Sequence, residues 1–183
     1  MEVTLPHTID SGQGEKIIFR EIIKEADGDK VVLEGHCSPN AGPVMHVHYK
    51  QDESLTVVKG MMGTQILGQE PVYYSVGQNV IFHRNVPHRF WNAGEDELVA
   101  SGWVKPANSI IFFLSALYAA QQKSGSTRPE AFDAAYLTVR YKGEYGLPEL
   151  PAFVKNVIMP ITYVIGRLLG KYKKFEGAPE PLR

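Results

Sequence analysis

Between residues 17 and 104, apolar and polar positions alternate in short runs, the pattern of strands with one face on a core and the other in water. The first two runs, 17–24 and 30–37, flank Ala26-Asp27-Gly28-Asp29 and predict a hairpin. Further runs follow at 54–58, 64–67, 72–76, 80–82, 89–92 and 98–104, punctuated by turn signals at Gly68, Gly77 and Ala93-Gly94-Glu95. Short strands at this spacing predict an antiparallel sandwich or barrel. Residues 1–15, with Pro6, Gly12 and Gly14 among polar groups, read as an arm or loop that is ordered only by docking on a partner surface.

From Pro106 the period changes. Asn108 or Ser109 can cap a helix whose apolar positions Ile110, Phe113, Leu114 and Leu117 keep helical spacing, and Gly125 ends it. Thr127 and Glu130 have capping-box spacing ahead of Phe132, Ala135, Tyr136 and Val139, a second amphipathic helix that stops near Gly143. Residues 145–151 read as a linker. A last helix over 151–169 sets Lys155, Asn156, Thr162 and Arg167 on one side, and Pro160 should kink it. Its wide apolar face runs from Phe153 through Val154, Val157, Ile158, Ile161, Val164, Ile165 and Leu168 to Leu169. That face can cover the barrel, meet a second subunit, or lie on a membrane surface with Arg167, Lys171, Lys173 and Lys174 toward anionic lipid.

Composition narrows the picture. With 183 residues and 44% hydrophobic content, the default is one domain, divided into a barrel with its N-terminal arm over 1–105 and a helical extension over 106–183. A formal net charge of −1 gives no general basic field and argues against nucleic-acid binding. Charged residues interrupt the apolar stretches before any could span a bilayer. The lone Cys37 and an N-terminus without a basic or apolar leader segment make a cytoplasmic location the expectation.

The chemistry concentrates in two stretches. His46 and His48 lie two apart, which on a strand aims both imidazoles at one face. Glu53 lies an odd number of residues beyond His48, so the chain must turn through residues 49–52 to bring its carboxylate round to the histidine pair. Two imidazoles and a carboxylate form a first shell for a divalent transition metal such as iron, manganese, nickel, copper or zinc. His88, alternating with Phe90 and Asn92 after a turn at 84–87, is a candidate fourth ligand that can complete the site. His83 reads either as a proton carrier or substrate contact at the mouth, or as an exposed turn histidine. Asn92 reads as a turn-stabilising amide, and His36 as structural or surface.

These stretches, 42–60 with Gly42, His46, His48, Glu53 and Gly60, and 77–92 with Gly77, His88 and Asn92, resemble the paired motifs of the cupin superfamily. The second departs from the pattern at His83, where proline is usual, and at Asn85, where glycine is usual. Asparagine tolerates positive φ better than most residues. The resemblance covers about residues 30 to 104. It implies a mainly β fold, a double-stranded β-helix or jelly-roll barrel carrying the C-terminal α-helical extension, with one metal in the barrel. It also implies a small metalloenzyme of dioxygenase or isomerase type acting on a small organic molecule, with Glu53 and His83 as candidate catalytic groups, or a non-catalytic ligand-binding or sensor module. Edge strands in need of cover, together with the apolar last helix, predict a homodimer.

Overall fold

The computed structural model describes residues 3–182. Among the described residues, eleven strands precede or return to the helices: β1 (His7–Asp10), β2 (Glu15–Ile23), β3 (Lys30–Cys37), β4 (Val47–His48), β5 (Asp52–Lys59), β6 (Met62–Ile66), β7 (Val72–Tyr74), β8 (Asn79–Phe82), β9 (His88–Asn92), β10 (Leu98–Lys105) and β11 (Tyr145–Gly146). One six-stranded sheet has the order β1-β2-β3-β10-β5-β8, and a three-stranded sheet has the order β7-β6-β9. Every pairing is antiparallel. This is the expected jelly-roll barrel. Its interior is closed by Phe19, Val31, Leu55, Val57, Met62, Phe82, Leu98 and Val104, all nearly inaccessible to water.

The N-terminal arm departs from the expectation of a loop waiting for a partner. Residues 7–10 pair with residues 16–19 of the same chain, and α1 (Ile110–Ser124) holds them in place. Ser115 Oγ lies 3.2 Å from His7 Nε2, and Gln122 Nε2 donates to the carbonyl of Asp10 at 2.6 Å. The alternation in four residues is too short to announce a strand, and its partner supplies the ladder.

Helix α1 shares the barrel core through Ile110, Ile111 and Tyr118. Its other side, with Phe112 and Ala116, packs on Tyr136, Leu137 and Tyr141 at the end of α2 (Ala131–Arg140). Capping differs from the spacing argument at both starts. Ser109 precedes α1, but its hydroxyl donates to Glu144 instead of the helix backbone. Glu130, and not Thr127, caps α2 by accepting from the backbone of Asp133 at 3.1 Å. The expected linker is also part strand, since Tyr145 and Gly146 pair with His48 and Val47.

The last helix breaks where Pro160 demands it. Residues Val154–Ile158 form a π turn ahead of α3 (Met159–Leu168), with the Met159 N–H donating to the carbonyl of Val154. The wider turn relieves the ring of Pro160 from the carbonyl it would meet in a regular α-helix. Helix α3 packs on α2, and its large apolar side chains remain exposed. Among the described residues no helix is long and apolar enough to cross a membrane.

Candidate metal centre

Backbone bonds fasten His46 directly to His88. The His46 N–H donates to the carbonyl of His88 at 2.9 Å and the His88 N–H donates to that of His46 at 2.8 Å. Directly opposed residues of an antiparallel pair place their side chains on one face, and the two rings sit 4.5 Å apart. This close pairing requires the glycine four residues earlier. A Cβ on Gly42 would lie 2.2 Å from the carbonyl oxygen of Phe90 and 2.7 Å from Cα of Trp91. Only a residue without a side chain lets the approach to β9 continue into the ligand-bearing strand.

His48 follows on the same face, with its ring 5.0 Å from that of His46. The chain then bends at Tyr49 and Lys50 before β5, which returns Glu53 to the cluster. The ligand atoms of His46, His48, Glu53 and His88 all lie within 4.8 Å of one another. His48, Glu53 and His88 are buried and His46 is partly exposed. Asn85, at φ 67, takes the left-handed conformation in the turn before His88, and its N–H donates to the carbonyl of His48. The turn chemistry that asparagine permits therefore ties the two motifs together.

Proton positions in the cluster fit a cation. Val86 O lies 2.8 Å from His88 Nδ1, and Val44 O lies 2.9 Å from His46 Nδ1. A carbonyl only accepts, so each neutral ring carries its proton on Nδ1 and turns the lone pair of Nε2 inward. His88 Nε2 stands 3.3 Å from Glu53 Oε2, and His48 Nε2 stands 3.7 Å from the same oxygen. Lone pairs facing a carboxylate are stabilised by a cation shared between them. Burial pushes the imidazolium form of His46 down to about 3 and shifts His48 the same way. Burial also works against the Glu53 carboxylate, but the nearby ring of His88 and the imidazoles of His48 and His46 outweigh it and hold that group at about 2. His46 and Glu53 are thus unprotonated near neutral pH, as metal binding requires.

The same shifts give a pH dependence with one sign. His46 binds its proton near 6.5 when unfolded and only near 3 when folded, so the unfolded chain takes up protons first as pH falls. Glu53, depressed from 4.5 to about 2, contributes stability above its unfolded value and loses it as pH falls further. Metal-free protein should therefore lose stability steadily from about pH 6.5 toward pH 3. The slope should approach about 1.4 kcal/mol per pH unit for each proton involved. Urea midpoints at a series of pH values measure this, and a flat profile from pH 7 to 4 would contradict it.

The neighbours of the cluster were less visible in the sequence. Phe82, opposite Glu53 in the ladder, stacks on His88 at 3.9 Å with the rings 4° from parallel. Tyr145 meets His48 edge-on at 5.4 Å. Tyr145 also bonds to Gln51 and Ser109, which both donate to the fully buried Glu144. His83 stands outside the ligand cluster, with its side chain 74% exposed and Nδ1 3.8 Å from Asp52. Asp52 is occupied by the backbone and guanidinium of Arg84. Asn92 donates to the carbonyls of Cys37 and Asp96 and accepts from the Gly94 N–H, which closes the turn after β9. His36 lies between Glu34 and Glu97, away from the cluster.

Comparison with known proteins adds a family and partial relatives. The probable oxidoreductase virH of Hypocrea virens is 30% identical over 95 residues, which cover 47% of this chain and 43% of that protein. The oxidoreductase iacF of Pestalotiopsis fici is 29% identical over 101 residues, covering 50% of each. The chain thus spans about half the length of these curated relatives or less. A double-stranded β-helix protein from Klebsiella pneumoniae superposes with a TM-score of 0.42 at 19% identity, over 59% of this chain and 84% of that one. The family model described as "Cupin domain" matches residues 32–104, the span that carries all four clustered ligands, and this part of the chain is a cupin domain.

Proposed function

We propose that the chain is a metal-dependent oxidoreductase acting on a small organic acid or phenolic compound, with one divalent transition metal held by His46, His48, Glu53 and His88. The observation that carries this reading is the convergence of three imidazole nitrogens and one carboxylate within 4.8 Å inside the barrel. Three nitrogen donors and one oxygen donor suit iron, manganese, nickel, copper or zinc. When bound, such a metal supplies a redox or Lewis-acid centre with room for a substrate oxygen. Both curated relatives are named oxidoreductases, which supports a redox reaction over an isomerisation.

The residues of this chain have separable roles. The carbonyls of Val44 and Val86 fix the tautomers of His46 and His88. Phe82 covers His88 and keeps water from that side. Glu53, the one carboxylate in the cluster, balances the cation's charge and can hold a proton in transit.

The test is reconstitution with each of the five metals, metal analysis by mass spectrometry, and oxygen uptake with a panel of small organic acids and phenols. Turnover with one metal is the expected result. His83→Ala should leave metal stoichiometry unchanged, because that ring is exposed and outside the cluster. A fall in turnover alone would give His83 a proton-carrying role. The second reading, a non-catalytic binding or sensor module, draws on the ring contacts that Phe82 and Tyr145 make with the ligands, since neither offers an acid or base suited to neutral pH. Saturable ligand binding without turnover under any metal would favour it.

A further inference from the structure

We propose that the exposed face of α3 docks on an anionic lipid surface, with the helix lying in the plane of the membrane. At 3.6 residues per turn, Val157, Ile161, Val164, Ile165 and Leu168 share one side, and each is exposed, Leu168 by 81%. Phe153, Ile158 and Leu169 extend the patch at its ends and are exposed as well. Large apolar side chains scattered singly over a surface are ordinary, whereas eight on one helical segment are not.

The rotation of the helix is locked by its other side. Gly166 is buried, and a Cβ there would lie 2.4 Å from the Tyr172 hydroxyl and 2.9 Å from Phe132. Tyr163 stacks on Tyr172 at 5.2 Å and leans on Tyr136 at 6.3 Å. With these contacts facing α2, the apolar side cannot turn inward.

Charge decides which occupant fits. Between Glu149 and Glu176 the chain carries Lys155, Arg167, Lys171, Lys173 and Lys174 and no acidic residue. Lys174 is paired with Asp133, and the other four are exposed. A second copy of the same face would bring like charges together around the apolar centre. Anionic headgroups would meet those cations while the apolar side chains enter the acyl boundary. The segment is too short to span a bilayer, so it lies on the surface.

The experiment uses the full chain with vesicles of phosphatidylcholine alone or with about one third phosphatidylserine, scored by co-sedimentation. The expected result is binding to the anionic vesicles, weak binding to the neutral ones, and loss of binding as salt rises. Each exposed cation replaced by glutamine should weaken binding about fivefold. Leu168→Asp, and Ile161→Asp with it, should abolish binding while circular dichroism stays unchanged, since both side chains already face water. Failure of the parent protein to bind anionic vesicles would overturn the proposal. So would equal binding by Leu168→Asp. Light scattering supplies the last arm: if Leu168→Asp turns a dimer into a monomer without touching vesicle binding, the face belongs to a second copy and the proposal is wrong. None of these readouts depends on metal or turnover.

Discussion

Replacing His88 by alanine should remove the metal from the protein and leave the fold standing. The imidazole lies between Glu53 and the His46 ring, and its own Nδ1 is anchored on Val86, so no neighbouring side chain can move in to replace it. Altering groups outside a ligand shell already costs about 10–100-fold in metal affinity, and removal of a ligand should cost more. The backbone pair between His46 and His88 does not involve the side chain and survives the substitution. The cavity opened beneath Phe82 should cost about 1–3 kcal/mol, less than the total stability typical of a domain. Metal analysis after dialysis, with circular dichroism on the same sample, measures both parts. Stoichiometric metal retained by the variant would overturn the site, and loss of the folded signal would show that the ring is structural.

Glu144→Ala should be the most destabilising single change in the helical extension. The carboxylate is fully buried and accepts from Gln51 at 2.9 Å, Asn108 at 2.8 Å, Ser109 at 2.9 Å and the backbone N–H of Leu182 at 2.9 Å. These four donors are neutral; Gln51 and Ser109 are fully buried, and each buried donor left unpaired costs about 1–3 kcal/mol. Even with partial hydration of the gap, the loss should reach about 4 kcal/mol. In a chain of this length that corresponds to a fall of roughly 10 °C in Tm. Glu144→Gln should fall between the parent and Glu144→Ala, because its amide would face either the Leu182 N–H or the three clustered donors. The consequence extends to the metal. Gln51 sits in the bend between His48 and Glu53, and Tyr145 pairs with His48, so the alanine variant should also bind metal more weakly. Thermal unfolding of the metal-free variant separates the two effects, and an unchanged Tm would refute the argument.

The two glutamates show how differently a site can be read from sequence. Glu53 is recognisable because its partners are near: two histidines at a spacing of two, then a polar bend that reverses the parity. Glu144 carries no such signal. Its partners at positions 51, 108, 109 and 182 are far apart along the chain, and its own segment has the composition of a linker. The same distance explains Ser109, whose spacing suits a helix cap and whose hydroxyl goes to Glu144 once the fold brings them together.

What the sequence determined by itself is the set of local rules. Period-two alternation marked the strands of the barrel, period 3.6 marked the helices, and residue parity put His46 and His48 on a common face. The motif resemblance singled out Asn85 and Gly42, and the structure shows their parts, a left-handed turn at Asn85 and a close approach of Gly42 to Phe90 and Trp91. What only the tertiary structure decided are the pairings between distant segments. Residues 7–10 became a strand because β2 was available beside them, and Tyr145 joined the metal-bearing strand from nearly a hundred residues away. Pro160 announced a break, but the π turn that absorbs it, and the side of α3 left facing outward, followed from how Gly166 and Tyr163 seat against α2 and Tyr172. Alternation and spacing report which face of an element is apolar. They do not report what lies against that face, because this depends on chain ends and packing distances that no local pattern encodes.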